Sequence, residues 1–213
     1  MEATDLEVIQ MSQEEVFCIS RYDLEGIFGS PMPNGALTGP LIEDILRFKA
    51  FFLPRAQAEH DPCYKQIIPY QVFRSDKKIF VYRRGKQIGE GRLAGRLSIG
   101  IGGHINRLDA DSCRNSCLSF YRNALMRERI EELDDPKVIS ETFAGWINDE
   151  KDAVGQVHIG AVHLCDVAGP DDIRIKTDED IHLVGWWSDK EISSHRDLFE
   201  SWSILAMELV LTA

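Results

Sequence analysis

The sequence predicts an α/β fold, a mixed β-sheet covered by helices, and three observations carry that prediction. Runs rich in Val, Ile, Phe and Tyr recur at strand length between Ile67 and Trp187. Two longer segments, Ser112 to Leu133 and Asp189 to about Leu211, have helical spacing. With 213 residues, 44% of them hydrophobic and 28% charged, the chain can bury a substantial core as one domain plus an extension.

Taken in order, Leu6 to Ile9 and Val16 to Ile19 are short strand candidates. Gly26 to Gly39 holds four glycines and two prolines and is expected to be a loop. Leu41 to Phe52 is expected to be a helix, with Leu41, Ile45, Phe48 and Phe52 on one side and Pro54 just past its end. Residues 1–65 are taken as an N-terminal extension packed on a core of residues 66–213. Ile67 to Phe73 and Lys78 to Arg83 flank Arg74-Ser75-Asp76-Lys77, which suggests a hairpin. A polar loop from Gly85 to Gly95 leads into Arg96-Leu97-Ser98-Ile99-Gly100-Ile101-Gly102-Gly103-His104-Ile105-Asn106, a β-type run ending in paired glycines. The Ser112–Leu133 helix follows, then strands at Val138–Ile147, Gln156–Val167 and Ile181–Trp187 with acidic connections. Leu198, Trp202, Leu205 and Leu209 are spaced to dock the C-terminal helix on the sheet. No internal repeat is evident.

A formal charge of −11 disfavours binding to nucleic-acid backbones and anionic membranes, which need clustered Lys and Arg. Met1 to Glu7 lacks a basic and then apolar leader, and no apolar run reaches membrane-spanning length. Five cysteines without a paired framework fit a reducing compartment, so a cytoplasmic protein is expected.

The most informative stretch is Arg127-Glu128-Arg129-Ile130-Glu131-Glu132. On a helix Glu128, Glu131 and Glu132 share an arc of about 100°, with Met126, Ile130 and Leu133 opposite. That pattern predicts an apolar stripe seated on the core and carboxylates facing outward. Carboxylates set side by side repel unless a cation joins them, and Mg2+ or Mn2+ are the ions that prefer oxygen ligands. The plain alternative is a solvated acidic face with Arg127 paired to Glu131 one turn on. Upstream, the paired glycines let the backbone come close to a ligand or a neighbouring helix.

A strand, a Gly-Gly loop and a helix carrying R-E-x-x-E-E resemble the Nudix hydrolase family, whose signature is G-x5-E-x7-R-E-U-x-E-E-x-G-U, with U a bulky apolar residue. Gly103 matches the first glycine, Arg127-Glu128 the R-E pair and Glu131-Glu132 the E-E pair. Gly103 and Arg127 are 24 positions apart, about ten more than the signature allows, and strict counting puts Ser119 at the first glutamate. Arg129 stands at the U position and Asp134 at the late glycine. Gly102-Gly103-His104-Ile105-Asn106, Ile68-Pro69-Tyr70, Tyr82-Arg83-Arg84, Gly145-Trp146-Ile147-Asn148-Asp149 and Val157-His158-Ile159-Gly160 are similar to a bacterial branch of the family labelled phosphoesterases, in which the Gly-Gly-His-Ile-Asn loop is characteristic.

The resemblance implies an α/β/α sandwich and metal-dependent hydrolysis of a phosphoanhydride in a small phosphorylated substrate. Glu128, Glu131 and Glu132 would hold Mg2+ or Mn2+, helped by a carbonyl of Gly102 or Gly103. Arg127 would orient a glutamate. Gly102, Gly103, His104, Arg83 and Arg92 would meet substrate, with Arg84 and Lys86 nearby. The general base is sought first at Asp178, Glu179 and Asp180. Relatives often form a homodimer, which is expected here too. The alternative is a catalytically silent binding or regulatory domain, while isomerase chemistry of the same superfamily lacks its cysteine and glutamate pattern here. His158, His163 and Cys165 suggest zinc, but alternation along a strand puts His158 opposite the other two. Cys113 and Cys117 form at most half a metal site, and Trp146, Trp186 and Trp187 are candidates for stacking on a base or for the core.

Overall fold

The computed structural model describes residues 14–46, 50–85, 95–111, 116–177 and 180–212. Among the described residues the sheet has ten strands: β1 Glu15–Ser20, β2 Gly35–Leu37, β3 Phe51–Pro54, β4 Tyr64–Ser75, β5 Lys78–Arg84, β6 Leu97–Ser98, β7 Gly100–Gly102, β8 Val138–Asn148, β9 His158–Val167 and β10 Ile181–Ser188. Its helices are α1 Arg21–Phe28, α2 Ile42–Leu46, α3 Arg55–Ala58, α4 Arg107–Asp111, α5 Cys117–Glu132, α6 Ala153–Val157, α7 Asp189–Ser194 and α8 Ser201–Val210. The main order is β10-β5-β4-β9-β8-β2. β4 and β9 run parallel, from Gln66 beside His158 to Arg74 beside Asp166, while the other pairs are antiparallel, so the sheet is mixed.

Two apolar layers sandwich this sheet, giving the α/β/α arrangement that the family resemblance implies. Tyr121, Ala124 and Leu125 of α5 pack with Ile67, Trp146, Ile159 and Ala161 on one face. Ala206, Met207 and Leu209 of α8 pack with Tyr70, Val72, Val162 and Leu164 on the other. Alternation along β4 and β9 produces both layers, since adjacent side chains take opposite faces. The predicted hairpin forms, with Arg74 opposite Ile79, Ser75 opposite Lys78 and Asp76 at φ 53° in the tight turn.

The N-terminal half departs from the sequence reading. The span expected to be a loop contains the end of α1 and all of β2, which pairs with β8 from Gly35–Asn148 to Leu37–Trp146. α1 is started by Ser20, whose hydroxyl accepts from the Asp23 amide, and stopped by Gly29 at φ 105°. The span expected to be one helix is α2 followed by β3. Phe51 to Pro54 lie opposite Cys18 to Glu15, and Phe52 meets Phe17 at 5.3 Å, so cross-strand aromatic packing outweighs helical spacing. β1 also pairs with β4, Cys18 opposite Gln66, and the Phe17 amide donates to the Ile105 carbonyl at 2.9 Å. Residues 14–20 are thus hydrogen-bonded both to the sheet and to the double-glycine loop.

The C-terminal tail is interrupted, with α7 and α8 separated by a short turn at Arg196–Leu198. The candidate strand at Leu6–Ile9 lies outside the described residues.

Candidate active site

The orientation of α5 is the main surprise. Its helix begins at Cys117, with the Ser116 hydroxyl accepting from the Ser119 amide, and residues 112–115 of the expected span lie outside the described residues. Met126 and Ile130, expected to seat the helix, are 43% and 53% exposed. The buried stripe is Tyr121, Ala124, Leu125 and Arg129. One turn beyond Ala124 on the same side comes Glu128, so this carboxylate faces the protein and not solvent. The apolar residues in the first half of the helix fix the rotation, and the acidic second half follows.

Gly103 is what makes room for Glu128. A Cβ at position 103 would fall 2.3 Å from Glu128 Oε2, and one at 102 would fall 2.0 Å from the Pro69 carbonyl. The paired glycines therefore serve close packing of the strand end against the helix and β4. Burial pushes the Glu128 carboxyl up to about 7, even though Arg127 lies beside it.

Arg127 gathers this end of the helix. Its Nε and Nη2 donate to both oxygens of Asp109, at 2.9 and 3.0 Å. Nη1 donates to Glu128 Oε1 at 2.7 Å and to Glu131 Oε2 at 2.9 Å, and Nη2 also reaches the His104 carbonyl at 2.7 Å. The guanidinium thus ties the double-glycine loop, α4 and α5 together through charge-assisted bonds. Asp109, only 4% exposed, was not singled out in the sequence. Its signal is local: Asn106 caps α4, its side-chain oxygen accepting from the amides of Leu108 and Asp109, and so aims Asp109 at Arg127.

Of the three glutamates, Glu128 and Glu131 meet at Arg127 Nη1, with Glu131 on the solvent rim. Glu132 turns towards β5. Its Oε2 is buried, and burial together with charges that include Glu132 raises the Tyr82 phenol above its usual range.

The predicted basic contacts divide. Arg83 is exposed and donates to the Gly95 carbonyl at 2.9 Å, whereas Arg84 is committed to the buried Glu200 at 2.9 Å. Arg92, Lys86, Asp178, Glu179 and Cys113 lie outside the described residues. The Gly85 amide donates to the Asp180 carbonyl at 2.7 Å. Trp146 is fully buried, with Nε1 donating to Pro40, so it is a core residue. Trp186 packs on Phe80 and Trp187 on Phe199.

His158 and His163 do face opposite ways. His163 bonds the Tyr121 hydroxyl at 2.6 Å and lies 3.2 Å from Glu141. It borders a cavity of about 190 Å3 whose walls include Leu41, Leu118, Tyr121 and Phe143. Cys165 sits on the same side against Arg129. His158 instead meets His104, Nε2 to Nε2, at 3.1 Å, beside Glu59. Burial and the nearby charge of Arg55 hold His104 well below the usual histidine range, so its ring is neutral.

No family model matches the sequence. Protein YmaB of Bacillus subtilis (strain 168) is 30% identical over 159 residues, which cover 73% of this chain and 76% of that protein. Tm1382, described as a candidate Nudix hydrolase, has a crystal structure that matches with a TM-score of 0.75 at 24% identity, over 93% of this chain and 99% of that one. DR0079 from Deinococcus radiodurans matches at 0.52 and 12% identity, over 82% and 98% of the two chains. The sandwich, with its R-E-x-x-E-E helix behind a double-glycine strand, has the fold of Tm1382. This chain belongs to the family of YmaB.

Proposed function

We propose that this protein hydrolyses a phosphoanhydride, of the nucleoside-diphosphate-X type, in a small phosphorylated substrate. One observation carries the reading: α5 turns its Glu128 carboxylate inward against Gly103, on the fold of a hydrolase superfamily, at the position that matches the R-E pair.

The donor chemistry suits a hard divalent cation, with Glu128 and Glu131 meeting at Arg127 and Glu132 set apart towards β5. Glu128, Glu131 and Glu132, with a backbone carbonyl of Gly102 or Gly103, are oxygen donors, which suit Mg2+ or Mn2+ and not softer ions. When bound, such an ion supplies charge for the phosphoryl oxygens and a water of lowered pKa. This chain's own residues do the rest. Arg127, held by both oxygens of Asp109, orients Glu128 and Glu131. Burial raises the Glu128 carboxyl, so a bound cation would be what holds it in the ionised, ligating form near neutral pH. The exposed Arg83 offers positive charge to substrate phosphate. The division into an extension, 1–65, and a catalytic core, 66–213, belongs to the same proposal, and the pairing of β1 with β4 supports its packing.

Hydrolysis of nucleotide sugars, dinucleoside polyphosphates and ADP-ribose, followed by product chromatography with Mg2+ and with Mn2+, tests the reading. Wild type is expected to turn over at least one of them, and Glu128→Gln and Glu132→Gln to lose at least about a hundredfold. Ligand binding without turnover would favour the silent alternative, which Ser119 at the first glutamate position keeps in play.

A further inference from the structure

We infer that Glu59, His104 and His158 form a second cation site, suited to a first-row transition ion such as Zn2+ and separate from the carboxylates of α5. Among the described residues this is the group of three whose ligand atoms all lie within 4.8 Å of one another. It does not depend on the hydrolase reading.

The geometry is that of a shared ion. Two nitrogens bound to one tetrahedral Zn2+ stand roughly 3.3 Å apart. Here the two Nε2 atoms are 3.1 Å apart, and Glu59 Oε1 is 3.8 Å from His104 Nε2. The tautomer of His158 is also set for ligation. Its Nδ1 lies 2.8 Å from the Val154 carbonyl, which can only accept, so Nδ1 carries the proton and Nε2 presents a lone pair. A metal-binding histidine commonly donates its second nitrogen to a carbonyl in this way. Arg55 Nε, 3.3 Å from Glu59 Oε1, holds that carboxylate in place, with Glu14 sharing the guanidinium.

An independent observation points to the same spot. Gln66 is fully buried, and neither oxygen nor nitrogen of its carboxamide has a hydrogen-bond partner. Its parallel neighbour across the sheet is His158, so the two side chains stand side by side on one face. A buried amide without partners costs on the order of 1–3 kcal/mol, a penalty that persists only where something offsets it. An ion and its water on the His158 side would do so.

The elements converge from four directions. Glu59 follows α3, His104 follows β7, His158 opens β9 and Gln66 lies in β4. β1 pairs with β4 up to Gln66, and β7 pairs with it from Tyr70, so the Gly103–Ile105 loop crosses the interval between them. Nitrogen donors select transition ions over Mg2+, which marks the site off from the oxygen-only set on α5.

Full-length protein stripped with chelator and titrated with Co2+, Zn2+ and Mg2+ tests this. With the oxygen donors of α5 saturated by excess Mg2+, one Co2+ per chain is expected, with intense visible d–d absorption, displaced by Zn2+. Glu59→Gln and His158→Ala should each weaken Co2+ binding at least about tenfold, while Glu128→Gln leaves it unchanged. Circular dichroism checks folding, and the partly exposed Glu59 keeps the test valid if His158→Ala does not fold. No stoichiometric Co2+, or uptake that survives Glu59→Gln, or uptake lost equally in Glu128→Gln, would overturn the site.

Discussion

Two polar clusters meet at Gly103-His104 and are built on opposite principles. On the α5 side, carboxylates gather around an arginine already in place, whose five donor contacts take in Asp109, Glu128, Glu131 and the His104 carbonyl. On the other side, two neutral-type donors and one carboxylate face each other with only a single hydrogen bond between the rings. The first cluster is held together by the protein's own guanidinium, and the second turns its two Nε2 atoms towards each other. The same dipeptide serves both: Gly103 by lacking a side chain, His104 by sending its carbonyl one way and its imidazole the other.

Removing the internal cation is the harshest way to break that contrast. Arg127→Met should leave the buried Asp109 carboxylate uncompensated and cost about 3 kcal/mol in urea unfolding, since deleting one partner of a buried pair strands the other. Should the loss be negligible, the α5 cluster is not held by Arg127.

A smaller effect is expected at Glu141, an ion pair remote from Gly103-His104. Despite burial, which acts against it, bonds from His163 and Arg129 hold its carboxyl down to about 2. Its folded value lies below the unfolded 4.5, so its contribution is present above about pH 4.5 and is lost as pH falls towards 2. Glu141→Gln should therefore destabilise by about 1 kcal/mol at neutral pH, discounted for exposure, and converge with wild type near pH 2. A constant gap across that range would contradict the pairing.

Smallest of all, Ile130→Gln should change stability by no more than about 0.5 kcal/mol, because the side chain is on the solvent face of α5. A loss of several kcal/mol would mean that the helix sits the other way round.

That last point shows where the sequence misleads. Met126 and Ile130 stand at helical spacing and look like an anchor, yet the first-half residues Tyr121, Ala124 and Leu125 seat α5. A window centred on the acidic box does not weigh them. β4, β5 and β9 were readable because each buries both faces along most of its length. Leu41 to Phe52 was not, because its apolar residues satisfy a helical period while Phe51 and Phe52 are claimed by β1 through tertiary pairing. Gly103 does lie against Glu128, and this closeness of the R-E-x-x-E-E core to the paired glycines was legible. Asp109 was not, since nothing in its spacing announces a bond to Arg127. The opposite facing of His158 and His163 followed from alternation alone, but the partners of His158 did not, because Glu59 and His104 reach it only through the fold.

The bond between the Phe17 amide and the Ile105 carbonyl has a practical corollary. A shortened chain beginning at residue 66 would lose the strand that covers this edge of the sheet, leaving the backbone beside Ile105 and the Gln66 end of β4 open to solvent or to a second molecule. Such a fragment should be sticky in solution, and supplying residues 14–20 as a separate peptide should restore its solubility by strand addition.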